Sequence, residues 1–324
     1  MKIIVVGSVN VDVTAYASRF ARDGETIFGD EVKFGPGGKG SNQATAAARA
    51  GGDVCMISRI GKDVLSGVIK EHYGREGMSE KYISVSDTVA TGCALIEVST
   101  QSGQNKIVVI PGANDELSSA DVLAAEEEFK TSNVFLTQLE TGFEPIYEGI
   151  RLARKYNNTV ILNPAPYKEI PADIMKEIDY FTPNETEAEF YSGVKIENDE
   201  DTEKAAQALI NKGIKNVIIT LGKRGVYYSN GKEKFFVGTK LLKAVDTTGA
   251  AFVDLLESFA SLAYPANSLA HVALGEKMDI ETALKFANCA GSISVTRYGA
   301  ATSGAYRFEI NDMMKDFYGI DLTK

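Results

Sequence analysis

The sequence predicts an α/β protein built on a doubly wound, mostly parallel sheet with helices on both faces. Short apolar runs with the length and residue types of buried strands alternate with segments of helical spacing. The strand-like runs are residues 2–6, 54–58, 133–137, 159–163, 179–182 and 217–221. The helical segments are residues 42–50, 63–76, 118–130, 144–156, 184–192 and 201–212. This alternation requires crossover connections, which produce parallel sheets covered on both faces.

Two segments break the alternation and predict a second, smaller β-sheet. Residues 11–34 contain two strand-like pieces, and residues 91–110 have the pattern of a hairpin with SGQN near its turn. A small antiparallel sheet appended to an α/β core commonly serves as a lid or a dimer surface. Since no low-complexity linker or internal repeat divides the chain, we expect one domain over residues 1–324. Its lid would comprise about residues 11–34 and 88–110.

The composition argues against several classes of function. The formal net charge of −10 disfavours a dedicated nucleic-acid-binding protein. No run of about 18 apolar residues is present, so we expect no membrane-spanning helix. Cys55, Cys93 and Cys289 are widely spaced and odd in number, which favours reduced thiols and a cytoplasmic location. With 2 histidines in the chain, a histidine-rich metal centre is excluded.

Polar motifs follow several predicted strands, where ligands bind in open parallel sheets. Asn10 and Asp12 follow the first strand and could hydrogen-bond paired hydroxyl groups, as a sugar requires, or satisfy the backbone of a turn. Asn42 and Glu140 offer similar polar contacts. These four side chains are therefore candidates for a sugar site.

The motif GPGGKGSNQA at residues 35–44 has four glycines within six residues. Such a run lets the backbone approach a ligand closely, and Lys39 adds a positive charge. The spacing does not match a phosphate-binding loop of the G-x-x-x-x-G-K-[ST] type. The alternative is a flexible turn before the helix predicted at residues 42–50.

Two further motifs are candidates for a nucleotide site. In TPNETEAE, Asn184 and Glu187 have the spacing to organise a hydrated Mg²⁺ against phosphates, or to form a helix capping box, and both can hold at once. In TLGKRG, Gly222 and Gly225 leave room for a base or a ribose, or form a turn into the next strand.

The stretch DTTGAAFVD at residues 246–254 places small residues at the predicted start of a helix. Gly249, Ala250 and Ala251 would expose backbone N–H groups, which suit a phosphate. The alternative is a helix N-terminus with ordinary capping. An anion site alone does not catalyse, so phosphate chemistry would also require a general base.

Together these motifs resemble the ribokinase (phosphofructokinase-B-type) sugar kinase family. The likeness covers nearly the whole chain, including SVNVD, GETIFGD, GGKGSNQA, PGAN, QLE, NPAP, TPNETEAE, TLGKRGVY, AVDTTGA and ALKFANCAGSISVTRYGAATS. The resemblance implies ATP-dependent phosphorylation of D-ribose at its 5-hydroxyl, with Mg²⁺ and a monovalent cation, usually K⁺. It also implies a cytoplasmic homodimer that associates through the lid.

The resemblance assigns roles to individual residues. The sugar would be held by Asn10, Asp12, Gly38, Lys39, Asn42 and Glu140. The ATP site would be lined by Asn184, Thr220, Gly222, Gly225 and Asn288, with Glu187 placing Mg²⁺. The monovalent cation would be surrounded by Asp246, Thr248, Ser294, Arg297, Gly299 and Ser303, largely through backbone carbonyls. The anion hole for the transferred phosphoryl group would be Gly249, Ala250 and Ala251.

One position departs from the family pattern. The family reads DTTGAGD here, and its last Asp is the catalytic base, but an ungapped count places Phe252 at that position. Asp254 is the nearest carboxylate, and two residues on a helix lie about 200° apart, so we expect it to face away. The residues that follow, as far as YPAN at 264–267, correspond to about one inserted helix.

Three explanations account for the missing Asp. They are a locally altered reading of the gene, a natural inactive relative, and a rebuilt site that recruits Asp254; the intact flanking motifs favour the first two. Two functional hypotheses remain, an active sugar kinase and a sugar- or nucleotide-binding relative with little turnover. A dinucleotide dehydrogenase is excluded, because no G-x-G-x-x-G links the first strand to a helix.

Overall fold

The fold is that of a computed structural model, which describes residues 1–239, 270, 272–273, 276–297 and 301–322. The strands are β1 Lys2–Val6, β2 Asn10–Ala17, β3 Glu31–Gly37, β4 Asp53–Gly61, β5 Tyr82–Ser86, β6 Gly92–Ser99, β7 Asn105–Ile110, β8 Val134–Thr137, β9 Thr159–Leu162, β10 Tyr180–Phe181, β11 Asn216–Thr220, β12 Val226–Ser229 and β13 Lys234–Val237. The helices within the described ranges are α1 Lys39–Arg49, α2 Val64–Arg75, α3 Ser119–Leu123, α4 Glu126–Phe129, α5 Phe143–Lys155, α6 Ala172–Met175, α7 Glu185–Ser192, α8 Asp199–Asn211, α9 Ile280–Ser294 and α10 Arg307–Tyr318.

The main sheet has nine strands in the order β13-β12-β11-β10-β9-β8-β1-β4-β5. From β11 to β5 neighbouring strands pair in parallel, while β12 and β13 join antiparallel at one edge. The predicted fold class is thus confirmed. The sequence did not indicate β5 and β13, which are the two edge strands. An edge strand buries less surface than a central one, so its apolar pattern is weaker.

Two apolar cores lie on opposite faces of the main sheet. Alternate residues of β1 enter different cores, with Ile3 in one and Ile4 in the other, as the period of a strand requires. The first core also contains residues of α1, α9 and α10, and the second contains residues of α5, α7 and α8. Helices therefore cover both faces of the sheet. Within the described ranges, no helix is long and apolar enough to cross a bilayer.

The second sheet has four strands in the order β3-β2-β6-β7. It is mixed and not antiparallel throughout, because its central pair, β2 and β6, is parallel. The reason lies in the main sheet. In the main sheet β1 and β5 run in the same direction. β2 follows β1 and β6 follows β5 along the chain, so β2 and β6 both leave the carboxyl ends of parallel strands and run parallel to each other.

Two helical regions differ from the prediction. The helix expected over 118–130 is two short helices, α3 and α4, because the chain tightens between them: Ala125 donates its N–H to Val122 O, three residues back. The C-terminal helix α10 was not predicted, and it places Ile310 and Met314 in the core. The helix predicted to begin in DTTGAAFVD and to end before YPAN at 264–267 lies outside the described residues.

Candidate active site

The corner between β1 and β2 packs directly against the first turn of α1. A Cβ on Gly40 would lie 2.6 Å from the carbonyl carbon of Gly7. Gly38 has φ of 86°, and a Cβ there would lie 2.8 Å from the backbone nitrogen of Asn10. The sequence suggested that these glycines let backbone approach a ligand. In the structure they let two protein segments approach each other, which places the start of α1 against the β1–β2 corner.

Glu140 occupies the N-terminus of α1. The N-cap residue, Gly38, has no side chain to accept a bond, and Glu140 Oε2 accepts instead from the backbone N–H of Lys39 at 2.9 Å. The Nζ of Lys39 lies 3.3 Å from Glu140 Oε1. Ser8, which the sequence did not single out, donates its hydroxyl to Glu140 Oε2 at 2.6 Å. The carboxylate thus stabilises the positive end of the helix.

Asn10 and Asp12 extend from this corner along β2. Asn10 is buried, and its Oδ1 accepts from Asn114 Nδ2 at 2.8 Å. Asn114 belongs to the PGAN motif, to which the sequence gave no role. The carboxylate of Asp12 lies over Gly37, where a Cβ would stand 2.1 Å from Oδ1. Any side chain at position 37 would clash with the carboxylate of Asp12 in this position.

Asn42 lies on the first turn of α1 and is 8% exposed. Its Oδ1 has no hydrogen-bond partner among the described residues. Buried polar atoms are nearly always satisfied by protein, water or ligand. This acceptor therefore suits a hydroxyl donor from a bound molecule.

The TPNETEAE motif forms the capping box expected as one alternative. Asn184 Oδ1 accepts from the backbone N–H of Glu187 at 2.8 Å, and Glu187 Oε2 accepts from that of Asn184 at 2.9 Å. Oε1 of Glu187 takes no part in the box. Glu187 is 5% exposed, and a carboxylate oxygen is the donor type that Mg²⁺ prefers, so the residues present fit that ion.

Thr220 and Asn184 are adjacent, which brings the two nucleotide motifs together. The backbone N–H of Thr220, at the end of β11, donates to Pro183 O at 3.0 Å. Gly225 has φ of 96°, and a Cβ there would lie 2.1 Å from Val237 O. Asn288, on α9, donates to the same carbonyl at 3.0 Å. Gly222, with φ of 52°, opens the short turn between β11 and β12.

Lys39 links the two groups of residues electrostatically. Burial, with repulsion from Glu140, raises the pKa of Asp12 to about 7, and Lys39 acts in the opposite direction. Burial likewise raises the pKa of Glu187 to about 7, against the lowering effects of the Asn184 N–H and of Lys39. One cation thus acts on both carboxyls. Asp12, from the predicted sugar residues, and Glu187, from the predicted nucleotide residues, therefore lie within electrostatic range of the same lysine.

Three of the predicted cation-site residues lie within the described ranges. Ser294 donates its hydroxyl to Ala290 O at 2.9 Å, and the guanidinium of Arg297 pairs with Glu309. Ser303 is buried in a 3₁₀ turn over Ala301–Ser303. The side chain of Arg297 has no oxygen, so any contribution of this residue to a K⁺ site would come from its backbone carbonyl. The remaining predicted residues lie outside the described ranges: Asp246, Thr248, Gly249, Ala250, Ala251, Phe252, Asp254 and Gly299.

Arg49 holds the turn that contains Ser303. From the last turn of α1, its guanidinium donates to Thr302 O at 2.9 Å and Gly304 O at 2.7 Å. It also pairs with Glu76, at 2.6 Å, and both side chains are less than 10% exposed. The sequence gave no signal for this arrangement, because the partners are more than 250 residues apart in the chain.

Comparison with known proteins finds a family model and relatives that match nearly the whole chain. The model of the pfkB family of carbohydrate kinases matches residues 1–305. Ribokinase from Haemophilus influenzae is 36% identical over 312 residues, which are 96% of this chain and 97% of the relative. Deoxyribokinase from Salmonella typhi is 33% identical over 306 residues, 94% of this chain and 95% of the relative. The structure of Arabidopsis thaliana ribokinase complexed with ribose and ATP has a TM-score of 0.85 at 27% identity, covering 97% of this chain and 98% of that chain.

The chain therefore belongs to the pfkB family of carbohydrate kinases, and within it to the ribokinase type. Its enzyme class is that of phosphotransferases with an alcohol group as acceptor. Both statements confirm the resemblance carried by the sequence motifs.

Proposed function

We propose that this protein is a cytoplasmic ATP-dependent kinase of ribose metabolism that phosphorylates D-ribose at its 5-hydroxyl. The observation that carries the proposal is the cluster at the N-terminus of α1. There Asp12 and Glu140 offer carboxylate oxygens, Lys39 a cation and Asn42 a buried acceptor without a partner among the described residues. Such a set suits the adjacent hydroxyls of a small sugar. The similar Arabidopsis protein is described as complexed with ribose and ATP.

In this proposal each group of residues positions one reactant. Asn10, Asp12, Asn42 and Glu140 hold the sugar hydroxyls, while Asn184, Thr220 and the turn opened by Gly222 border the nucleotide. Glu187, with Asn184, would hold Mg²⁺, and the ion would supply positive charge that neutralises the phosphates. Phosphoryl transfer depends mainly on such positioning and charge neutralisation. Carbonyls near Ser294 and Ser303 are proposed to bind K⁺.

Two candidate functions differ in whether the protein has a general base. The family pattern requires an Asp where this sequence has Phe252, and loss of a general base typically removes about 10²–10⁴ in rate. Phe252 therefore favours, as the second candidate, a sugar- or nucleotide-binding relative with little turnover. In the active version, Asp254 accepts the proton of the hydroxyl.

A coupled assay of ADP release with D-ribose, Mg²⁺ and K⁺ separates these candidates. Turnover at the rate of an ordinary sugar kinase would refute the binding-only candidate, and Asp254→Asn should then abolish it. Normal turnover in that variant would reject Asp254 as the base. Ribose binding without turnover would support the binding relative. Parallel assays with 2-deoxyribose test the substrate, since one relative is a deoxyribokinase.

The second sheet is proposed to be a lid and a homodimer interface. Residues in register across its strands share one face: Phe34, Val13, Leu95 and Val108 form one such row. Phe34, Leu95 and Val108 are 58%, 47% and 61% exposed. An exposed apolar row of this kind is typical of a protein–protein interface. A second copy of the chain, which carries the same row, is the proposed partner.

A further inference from the structure

A chain of buried side-chain amides connects the two halves of the candidate active site. Gln138 donates from Nε2 to Gln43 Oε1, and Gln43 donates from Nε2 to Asn163 Oδ1 at 3.2 Å. Asn163 then donates from Nδ2 to the backbone carbonyl of Thr182 at 2.8 Å. These residues, called the amide chain below, are each at most 1% exposed.

Each end of the amide chain lies beside a motif of the site. Gln43 follows Asn42 on the first turn of α1, and Gln138 precedes Glu140 by two residues. At the other end, Thr182 precedes Asn184 by two residues. The amide chain thus runs from the residues proposed to hold the sugar to those proposed to hold the nucleotide.

The direction of the amide chain is fixed by its last acceptor. The carbonyl of Thr182 can only accept, so Asn163 must present its NH₂ group to it and its oxygen to Gln43. Gln43 must then donate to Asn163 and accept from Gln138. If any one of the three amide groups were rotated to exchange its oxygen and nitrogen, two acceptor oxygens would face each other. Because the groups are buried, an unsatisfied member cannot be rescued by bulk water.

We propose that the amide chain is a positioning device, with Gln43 as its central positioning residue. It holds the first turn of α1 in register with the strand end that leads to Asn184, so that both ligands meet at a fixed separation. Phosphoryl transfer is sensitive to displacements of about 1 Å between reactants. The inference rests on the proposed function, because it assigns a sugar to one end and a nucleotide to the other.

The test compares isosteric exchanges inside and outside the amide chain. Gln43→Glu replaces the donor that faces Asn163 by an oxygen, and Asn163→Asp does the same toward Thr182. The control is Gln207→Glu, since exposed Gln207 also donates from Nε2 to an Asn oxygen, that of Asn211, at 3.0 Å. Calorimetry with D-ribose, and separately with the β,γ-imido analogue of ATP and Mg²⁺, measures affinity without turnover. Thermal melting identifies any variant that does not fold.

At about pH 8 we expect Gln43→Glu and Asn163→Asp each to weaken ribose and nucleotide binding by about tenfold or more relative to Gln207→Glu. Lowering the pH to about 6 should restore much of the loss, because a protonated carboxyl again donates to its neighbour. Asp12, Lys39, Glu140 and Glu187, the nearby ionisable groups of the proposed site, are present in the variants and in Gln207→Glu alike, so comparison at each pH removes the effect of their own titration. A simple loss of packing would show no such recovery.

The outcomes separate this inference from the proposed function. Wild-type affinity for both ligands in both variants at about pH 8, or a loss with no recovery at low pH, would overturn the positioning role while ribose turnover stands. If wild type does not bind ribose, the proposed substrate fails, and the nucleotide titration still decides the role of the amide chain. If Gln43→Glu does not fold, Asn163→Asp carries the test alone.

Discussion

Replacing Glu140 by glutamine should change both the strength of the sugar site and its response to pH. Glu140 accepts from the backbone N–H of Lys39 at 2.9 Å and the hydroxyl of Ser8 at 2.6 Å, and it lies 3.3 Å from Lys39 Nζ. The glutamine oxygen can keep two of these contacts but loses the charge. Since charge-assisted bonds are roughly twice as strong as neutral ones, we expect folding stability to fall by about 1–2 kcal/mol.

The pH response provides the sharper part of this prediction. The charge of Glu140 contributes to raising the pKa of Asp12 to about 7, so its removal should lower that pKa. If the sugar is held by the Asp12 carboxylate, ribose affinity in wild type should fall as pH drops through about 7. In Glu140→Gln the midpoint of that fall should move to lower pH. The assay is ribose titration by calorimetry across the pH range, with urea unfolding at each pH.

A midpoint that stays in place, or rises, would refute the electrostatic coupling between Glu140 and Asp12. Glu144→Gln is the matched control, because Glu144 lies four residues further along, at the start of α5, and accepts from Ser119 in an exposed contact. Its midpoint should equal that of wild type.

Three further predictions concern stability and assembly. The pKa of Asp12 in the folded protein is about 7, against an ordinary value of 3.8, so ionisation of Asp12 lowers the free energy of unfolding as the pH rises from about 3.8 to about 7. Urea unfolding should therefore show Asp12→Asn becoming more stable relative to wild type over this pH range. A difference between the two proteins that does not change with pH would contradict the prediction. Arg49→Ala should lower the free energy of unfolding by about 3–5 kcal/mol, because it leaves the buried carboxylate of Glu76 unpaired. Arg75→Ala removes an exposed ion pair and should cost less than about 1 kcal/mol. Equal losses in the two variants would show that burial does not set the cost. If the protein forms the proposed homodimer through its second sheet, analytical ultracentrifugation should show Phe34→Asp as a monomer. Phe308→Asp, on α10 and 65% exposed against 58% for Phe34, should remain a dimer. A dimer that survives Phe34→Asp would reject the sheet as the interface.

The strand–helix alternation was sufficient to predict the central sheet, because β1, β4, β8, β9 and β11 each carry a buried run of apolar residues. The edge strands β5 and β13 were not predicted, because a half-exposed strand does not require a continuous run of apolar residues. The helix cap was also predictable from the sequence, because a capping box depends only on the spacing of Asn184 and Glu187.

Contacts between distant parts of the chain could not be predicted in the same way. The role of Glu140 as the cap of α1 depends on a partner 101 residues away, and the clamp of Arg49 on Thr302 and Gly304 spans more than 250. The sequence showed glycines near Lys39 but not that Gly38 and Gly40 approach the β1–β2 corner. Such pairings follow from the packing of the whole fold and have no local signature.

The most direct test of a sugar site at the N-terminus of α1 is a calorimetric titration of D-ribose into wild type and Asn42→Leu. Leucine has a similar volume but cannot accept a hydrogen bond, and Asn42 Oδ1 is a buried acceptor without a partner among the described residues. We predict saturable binding of one ribose per chain in wild type and a loss of at least about tenfold in affinity in Asn42→Leu. The absence of binding in wild type, or equal affinity in both proteins, would contradict the account.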